Sequence, residues 1–365
     1  MKKINRQRIF QLIYKEGPLS KQAITAALNV STPTVTQNLK ELEEQDLILK
    51  QGYFASTGGR KAKAITYQPN ARFAIGLDVT ANHLTTVIIN LGIDIIYRRR
   101  VRLHFENTQE YFRMAGAMVR QAIKESGIDS NKITGTGIAV PAHVSEDGLN
   151  ITYAPILDFT GGNIKEFAQF IDYPCRFIND ASAACMAEYW NVNELVNIVY
   201  LSLSNSVGGA ILLNNTVYPG ENQRSAEFGH MTLVPGGRPC YCGQKGCVEA
   251  YCNARLLSDT CNGDLALFFE MLSMESTPHL KIWNEYLDDL AIAINSLRMM
   301  FDCQIVLGGY VGGYIEPYIP DLRQRVSKLN SFGNDGSYLQ VCRYKFEASA
   351  VGSALQYISE FLEEI

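Results

Sequence analysis

Along the first seventy residues, apolar side chains recur at helical spacing and are interrupted by turn residues. Ile9, Leu12 and Ile13 predict a helix from about Asn5 to Lys15 that stops at Gly17-Pro18. Ser20 is placed to cap a second helix carrying Ile24, Ala27 and Leu28 on one face, and Asn29 begins a tight turn after it. Thr32 is placed to cap a third helix, with Pro33 at its first position and Val35, Leu39 and Leu42 as its buried stripe. The period then shortens. Leu47–Leu49 and Ala62–Tyr67 read as two strands around a polar, glycine-bearing tip at residues 56–61. Three helices followed by a hairpin form the pattern of a winged helix-turn-helix.

Past a short linker at residues 67–70 the pattern becomes that of an α/β body. Arg72–Asp78, Leu84–Asn90 and Ile95–Leu103 read as three strands joined by polar turns. Ile198–Leu203, Gly208–Asn214 and Thr216–Tyr218 repeat the arrangement. Each triplet is followed by alternating helices and strands: helix 108–126 with strand Ile133–Val140, and helix 280–301 with strand Gln304–Leu307. Two such repeats predict two α/β lobes with a cleft between them. The expected division is 1–70 for the winged helix, 71–179 for the first lobe, and 180–348 for the second, with a final helix at 349–365 returning to the first lobe.

Composition narrows this picture. Of 365 residues, 47% are hydrophobic and 19% charged, as in a globular chain, and no apolar run approaches the ~20 residues of a membrane helix. The basic start lacks the apolar stretch of a signal peptide, and nine Cys show no disulfide framework, so a cytoplasmic protein is expected. The net charge of −4 conceals an asymmetry: residues 1–70 hold eleven Lys/Arg against five Asp/Glu. A basic head on an acidic body points to a polyanion at that end. In a winged helix the third helix enters the major groove of DNA. Thr36, Gln37 and Lys40, with Thr34 at the margin, lie opposite its apolar stripe and are the candidate base and phosphate contacts, and Arg60 at the wing tip is a further one. The competing reading is a solvated polar face on an interaction module.

The densest chemistry lies at Glu227–Glu249, EFGHMTLVPGGRPCYCGQKGCVE. His230, Cys240, Cys242 and Cys247 offer one imidazole and three thiolates, a closed tetrahedral shell for zinc, and the interspersed glycines let the loop fold back on itself. The alternative, three structural thiols near an unrelated His, fits poorly with three Cys within eight residues.

EFGH followed by CYCGQKGCVE resembles the zinc loop of the ROK family, which holds bacterial sugar kinases and sugar-responsive transcription factors. The resemblance extends over essentially the whole chain and implies the actin-like (ribonuclease H-like) sugar-kinase fold. It also implies that Asn179, Asp180, Glu227, His230 and Glu249 are sugar contacts, with the metal fixing the His230 ring. Asp180 also reads as a helix N-cap, a role compatible with sugar contact. In the family's kinases the phosphate turns resemble D-x-G-G-T and G-T-G-x-G. Here they are Asp78-Val79-Thr80-Ala81-Asn82-His83 and Ser204-Asn205-Ser206-Val207-Gly208-Gly209, which implies loss of ATP binding. Ile156 stands where the family often has an amide that meets the sugar, so the sugar is left open. His143 reads equally as a compensating polar group or a surface residue. The expectation is a non-enzymatic, sugar-responsive repressor that binds operator DNA as a homodimer or tetramer, takes a sugar or sugar-phosphate effector, and makes no membrane contact. The alternative is an ATP-dependent ROK sugar kinase with a fused DNA-binding module.

Overall fold

The computed structural model describes residues 2–54, 62–190, 196–332 and 335–365. Helices α1 (Lys2–Glu16), α2 (Lys21–Leu28) and α3 (Thr32–Glu44) precede a hairpin of β1 (Ile48–Tyr53) and β2 (Lys63–Tyr67). Then follow β3 (Phe73–Val79), β4 (His83–Asn90), β5 (Ile95–Arg102), α4 (Gln109–Ser126), β6 (Ile133–Val140), β7 (His143–Val144), β8 (Ile151–Tyr153), α5 (Lys165–Ala168) and β9 (Cys175–Asn179). Next come α6 (Asp180–Glu188), β10 (Ile198–Leu203), β11 (Val207–Leu213), β12 (Thr216–Val217), α7 (Glu249–Cys252), α8 (Arg255–Ser258), α9 (Leu265–Ser273) and α10 (Thr277–Phe301). The chain ends with β13 (Gln304–Gly308), α11 (Gly309–Gly312), α12 (Ile319–Leu329), β14 (Leu339–Val341) and α13 (Ala348–Glu364). Two compact units result: Met1–Ile138 with Asn163–Phe177 and Ser353–Ile365, and Ala139–Gly162 with Ile178–Gly352.

The winged helix belongs to the first unit. Its core is Ile9, Phe10, Ile13, Ile24, Val35, Leu39 and Leu42, closed by Leu47, Ile48 and Ile65 of the hairpin. Thr32 begins α3, but the cap is Ser31, whose extended backbone lets its Oγ accept from the Thr34 N–H. Thr32 is already helical, and its carbonyl accepts the Thr36 hydroxyl instead. Strand β1 runs past the predicted Leu49 to Tyr53, with a register shift after Lys50 where Gly52 takes φ +75°. The wing tip, Arg60 included, lies outside the described residues.

The head is fastened within its unit. The Tyr14 hydroxyl donates to the Leu91 carbonyl at 2.7 Å, Gln11 Nε2 donates to the Leu362 carbonyl at 3.0 Å, and Phe10 meets Phe361 edge-on. Beneath it lies a five-stranded sheet in the order β5-β4-β3-β6-β9, whose central strand β3 is buried throughout. Continuous apolar sequence fits a strand covered on both faces. From Ser353 onward α13 lies so close to β6 that a Cβ on Gly137 would come 1.9 Å from the Ser353 carbonyl oxygen.

The second unit holds a sheet in the order β12-β11-β10-β13-β14, with β10 parallel to β13 and antiparallel to β11. Side chains of β10 alternate between two apolar layers. Val199, Leu201 and Leu203 pack with Leu287, Leu290 and Ile294 of α10, while Ile198 and Tyr200 pack with Ala184 and Cys185 of α6. Helix α10 starts at Thr277, three residues before the predicted 280, because Pro278 is accommodated in its first turn. No helix among the described residues is long and apolar enough to cross a membrane.

Candidate metal centre and the pocket beside it

The loop from Glu227 to α7 has little regular structure, and four side chains converge in it. One ligand atom from each of His230, Cys240, Cys242 and Cys247 lies within 4.8 Å of the others. Cys242 Sγ is 3.8 Å from Cys247 Sγ, and Cys240 Sγ is 3.8 Å from His230 Nδ1. A tetrahedral ion with thiolate bonds of about 2.3 Å has edges of about 3.8 Å, so the donor set fits such an ion. Burial pushes the Cys240 thiol up and takes Cys247 up to about 12, whereas the Gln244 N–H holds Cys242 below its ordinary value. A thiol must lose its proton to ligate a metal, so loading of such a site would release protons and depend on pH. The loop closes through Gly246, at φ +85°, where a Cβ would sit 1.8 Å from the Val234 carbonyl oxygen.

A pocket of about 100 Å³ adjoins the cluster, and every residue lining it belongs to the second unit. Asn179, Asp180, Glu227 and His230 line it, joined by His143, Tyr153, Ile156 and Tyr241. Asn179, rather than Asp180, caps α6: its Oδ1 accepts from the Ser182 N–H at 2.9 Å, and its Nδ2 donates to the Ala142 carbonyl at 3.2 Å. Asp180 is the first helical residue, and its Oδ1 accepts from the Ala181 N–H at 2.8 Å. Burial raises its pKa to about 6, and the nearby Glu227 carboxylate adds to the rise. Glu249 is set back from the lining. It is 4% exposed, and its Oε2 accepts from the Val207 N–H at 2.5 Å, so it braces the pocket wall.

His143 is a polar member of this site: Nδ1 donates to the Gln223 carbonyl at 3.0 Å and Nε2 lies 3.3 Å from Glu227 Oε1. Tyr241 and Tyr153 went unnoticed in the sequence. For Tyr241 a signal existed, because a residue between two ligand cysteines is held at both of its peptide bonds.

The winged-helix candidates stand together on α3. Thr36, Gln37 and Lys40 are exposed and Thr34 is half-buried. Gln37 donates to Glu41 at 2.9 Å, and Lys40 lies 3.6 Å from Glu44. Exposed pairs of this kind are weak and exchange readily for phosphate or base partners.

Residues 3–48 match the winged helix-turn-helix DNA-binding family, which defines the class of the head. Residues 74–358 match the ROK family, and the chain belongs to that family. A putative xylose repressor from Caldicellulosiruptor sp. is 24% identical over 99% of this chain and 97% of its own length. The xylose repressor of Bacillus subtilis is 25% identical over 70% of this chain and 67% of its own. The DNA-binding transcriptional dual regulator NagC of Escherichia coli is 24% identical over 68% and 62%. Among solved structures, a ROK family transcriptional regulator described as a homolog of the E. coli MLC protein superposes with a TM-score of 0.74 at 19% identity, covering 100% of this chain and 97% of that one. A ROK family glucokinase from Streptomyces griseus, solved with glucose and AMPPNP, gives 0.68 at 20% identity over 78% of this chain and 98% of its own. The body thus has the fold of the ROK sugar kinases, with a winged helix added at its N-terminus.

Proposed function

We propose that this chain is a cytoplasmic, sugar-responsive repressor of carbohydrate genes. It binds operator DNA as a dimer, or a pair of dimers, through α3 and the wing. The effector, a sugar or sugar phosphate, occupies the pocket lined by Asn179, Asp180, Glu227 and His230. The observation that carries this reading is the union of a DNA-binding head with a ROK body whose carboxylate- and imidazole-lined pocket adjoins a His-Cys₃ cluster. The repressor names of its relatives support it.

The ion held by His230, Cys240, Cys242 and Cys247 is zinc in this reading. It supplies structure: metal on Nδ1 leaves Nε2 as the protonated nitrogen of His230. Asp180 accepts from sugar hydroxyls, while Asn179 and Glu249 hold the walls. Twofold half-sites call for a symmetric dimer, and effector and operator must then influence each other's affinity reciprocally. Gel-shift titration against a panel of mono- and disaccharides tests the proposal. At least one sugar that binds the protein should change operator affinity; indifference to every such sugar would sink it.

One observation favours a kinase instead: Asp180, with its raised pKa, is suited to general-base work. Against it stand the glycine-free turn at 78–83 and Ser204, whose Oγ accepts from the Tyr310 N–H at 3.3 Å and so occupies a backbone donor of the glycine-rich stretch at residues 308–313. ADP release above background with any hexose would restore the kinase reading.

A further inference from the structure

His230 presents its two ring nitrogens to different partners. Nδ1 faces the thiol cluster, and Nε2 lies 3.3 Å from the Tyr241 hydroxyl. The two rings meet edge to face at 5.3 Å. With Nδ1 on a metal, Nε2 carries the proton, and the phenol oxygen is its acceptor. The nitrogen expected to greet a sugar hydroxyl is therefore already engaged by an aromatic hydroxyl of the same chain.

Three features make this engagement reversible. At 3.3 Å the contact is long for an N–H···O bond, so it is weak. Tyr241 is 56% exposed, so its ring can leave without unpacking a core. Its backbone is fixed between Cys240 and Cys242, both in the ligand cluster, so only side-chain rotation releases the phenol. Rotation of an exposed side chain is fast, on the ps–ns scale. The pocket it lines measures about 100 Å³, below the ~300 Å³ at which ligand pockets commonly begin.

We propose that Tyr241 is a specificity-determining gate: its hydroxyl stands in for an effector hydroxyl on His230 Nε2 and must be displaced when the effector binds. This rests on the effector reading above. Only a ligand that offers Nε2 a better-placed hydroxyl, together with contacts to Asp180, opens the site, whereas an apolar molecule cannot replace the lost bond. The gate thus selects polyhydroxylated ligands over apolar ones of similar size.

The test uses full-length, zinc-loaded protein and D-xylose, D-glucose and N-acetylglucosamine as probes, measured by calorimetry in wild type, Tyr241→Phe and Asp180→Asn. Tyr241→Phe keeps the ring and removes the competing oxygen. A net hydrogen bond of about 0.5–1.5 kcal/mol corresponds to sugar binding about two- to tenfold tighter in this variant. The His230 Nε2–H resonance should also move in sugar-free Tyr241→Phe relative to wild type. Unchanged affinity makes Tyr241 a bystander, and weaker affinity makes it a direct sugar contact; either result overturns the gate. If wild type binds none of the sugars, or Asp180→Asn leaves binding intact, the effector reading itself fails and the gate falls with it.

Discussion

The recognition helix α3 and the loop from Glu227 to Glu249 hold their polar groups in opposite ways. On α3, the helical backbone sets the direction of each side chain, and the candidate contacts Thr36, Gln37 and Lys40 point outward, with Gln37 and Lys40 meeting Glu41 and Glu44 one turn away. In the loop, backbone regularity is scant, and the polar groups turn inward onto one another. A helix spreads its function over graded, nearly independent positions. A loop closed by four ligands concentrates it, so that one lost ligand removes the shape as well as the contact. The head should therefore fail by degrees and the pocket all at once.

The sharpest way to break this contrast is Cys242→Ser. Zinc content should fall, and effector affinity should drop on the order of 100-fold, because the metal orients His230. Operator binding, measured in the same preparation, should change by less than about threefold. Equal losses in both would make the loop a staple for the whole chain and abolish the contrast.

On the helix, Gln37→Ala should cost about 1–3 kcal/mol, some five- to 150-fold, for the cognate operator and little for unrelated DNA. Lys40→Ala should weaken both alike and lower the salt dependence by about one phosphate contact, read from binding isotherms across salt concentrations. Losses confined to unrelated DNA would place the reading face elsewhere.

A smaller effect comes from Asp180. Its pKa, raised to about 6, means that the folded chain keeps a proton which the unfolded chain releases from about pH 4. The stability this group contributes is therefore present below about pH 4 and is lost as pH rises to about 6. Effector affinity should move the other way, rising about tenfold from pH 5 to pH 7 as the carboxylate forms. Calorimetry of the wild type across that range checks it. A flat profile in wild type would mean that the sugar does not need the charged form.

The legibility of the two regions differs for the same reason that their behaviour does. Helical spacing at Val35, Leu39 and Leu42 exposed the stripe of α3, and the spacing of His230, Cys240, Cys242 and Cys247 exposed the ligand set, because both are local patterns. The local cap was still misplaced by one residue, since Ser31 and Thr32 carry the same hydroxyl and only the backbone dihedrals separate them. Asp180 and Asn179 exchanged capping roles for a similar reason. For Glu249, expected as a sugar contact, no local pattern signalled that its carboxylate also accepts from the Val207 N–H, 42 residues away in sequence.

By itself the sequence determined what neighbouring residues decide: the helical and extended periods, the basic head, the family, and a set of four metal ligands within eighteen residues. Tertiary structure alone decided which atoms meet across distance. It set His143 against Glu227, fastened α1 to the end of α13, and aimed His230 Nε2 at the Tyr241 hydroxyl rather than at open pocket. Periodicity constrains a residue's face, but a hydrogen bond needs its partner within about 3 Å, and that distance is fixed only when the chain has closed on itself.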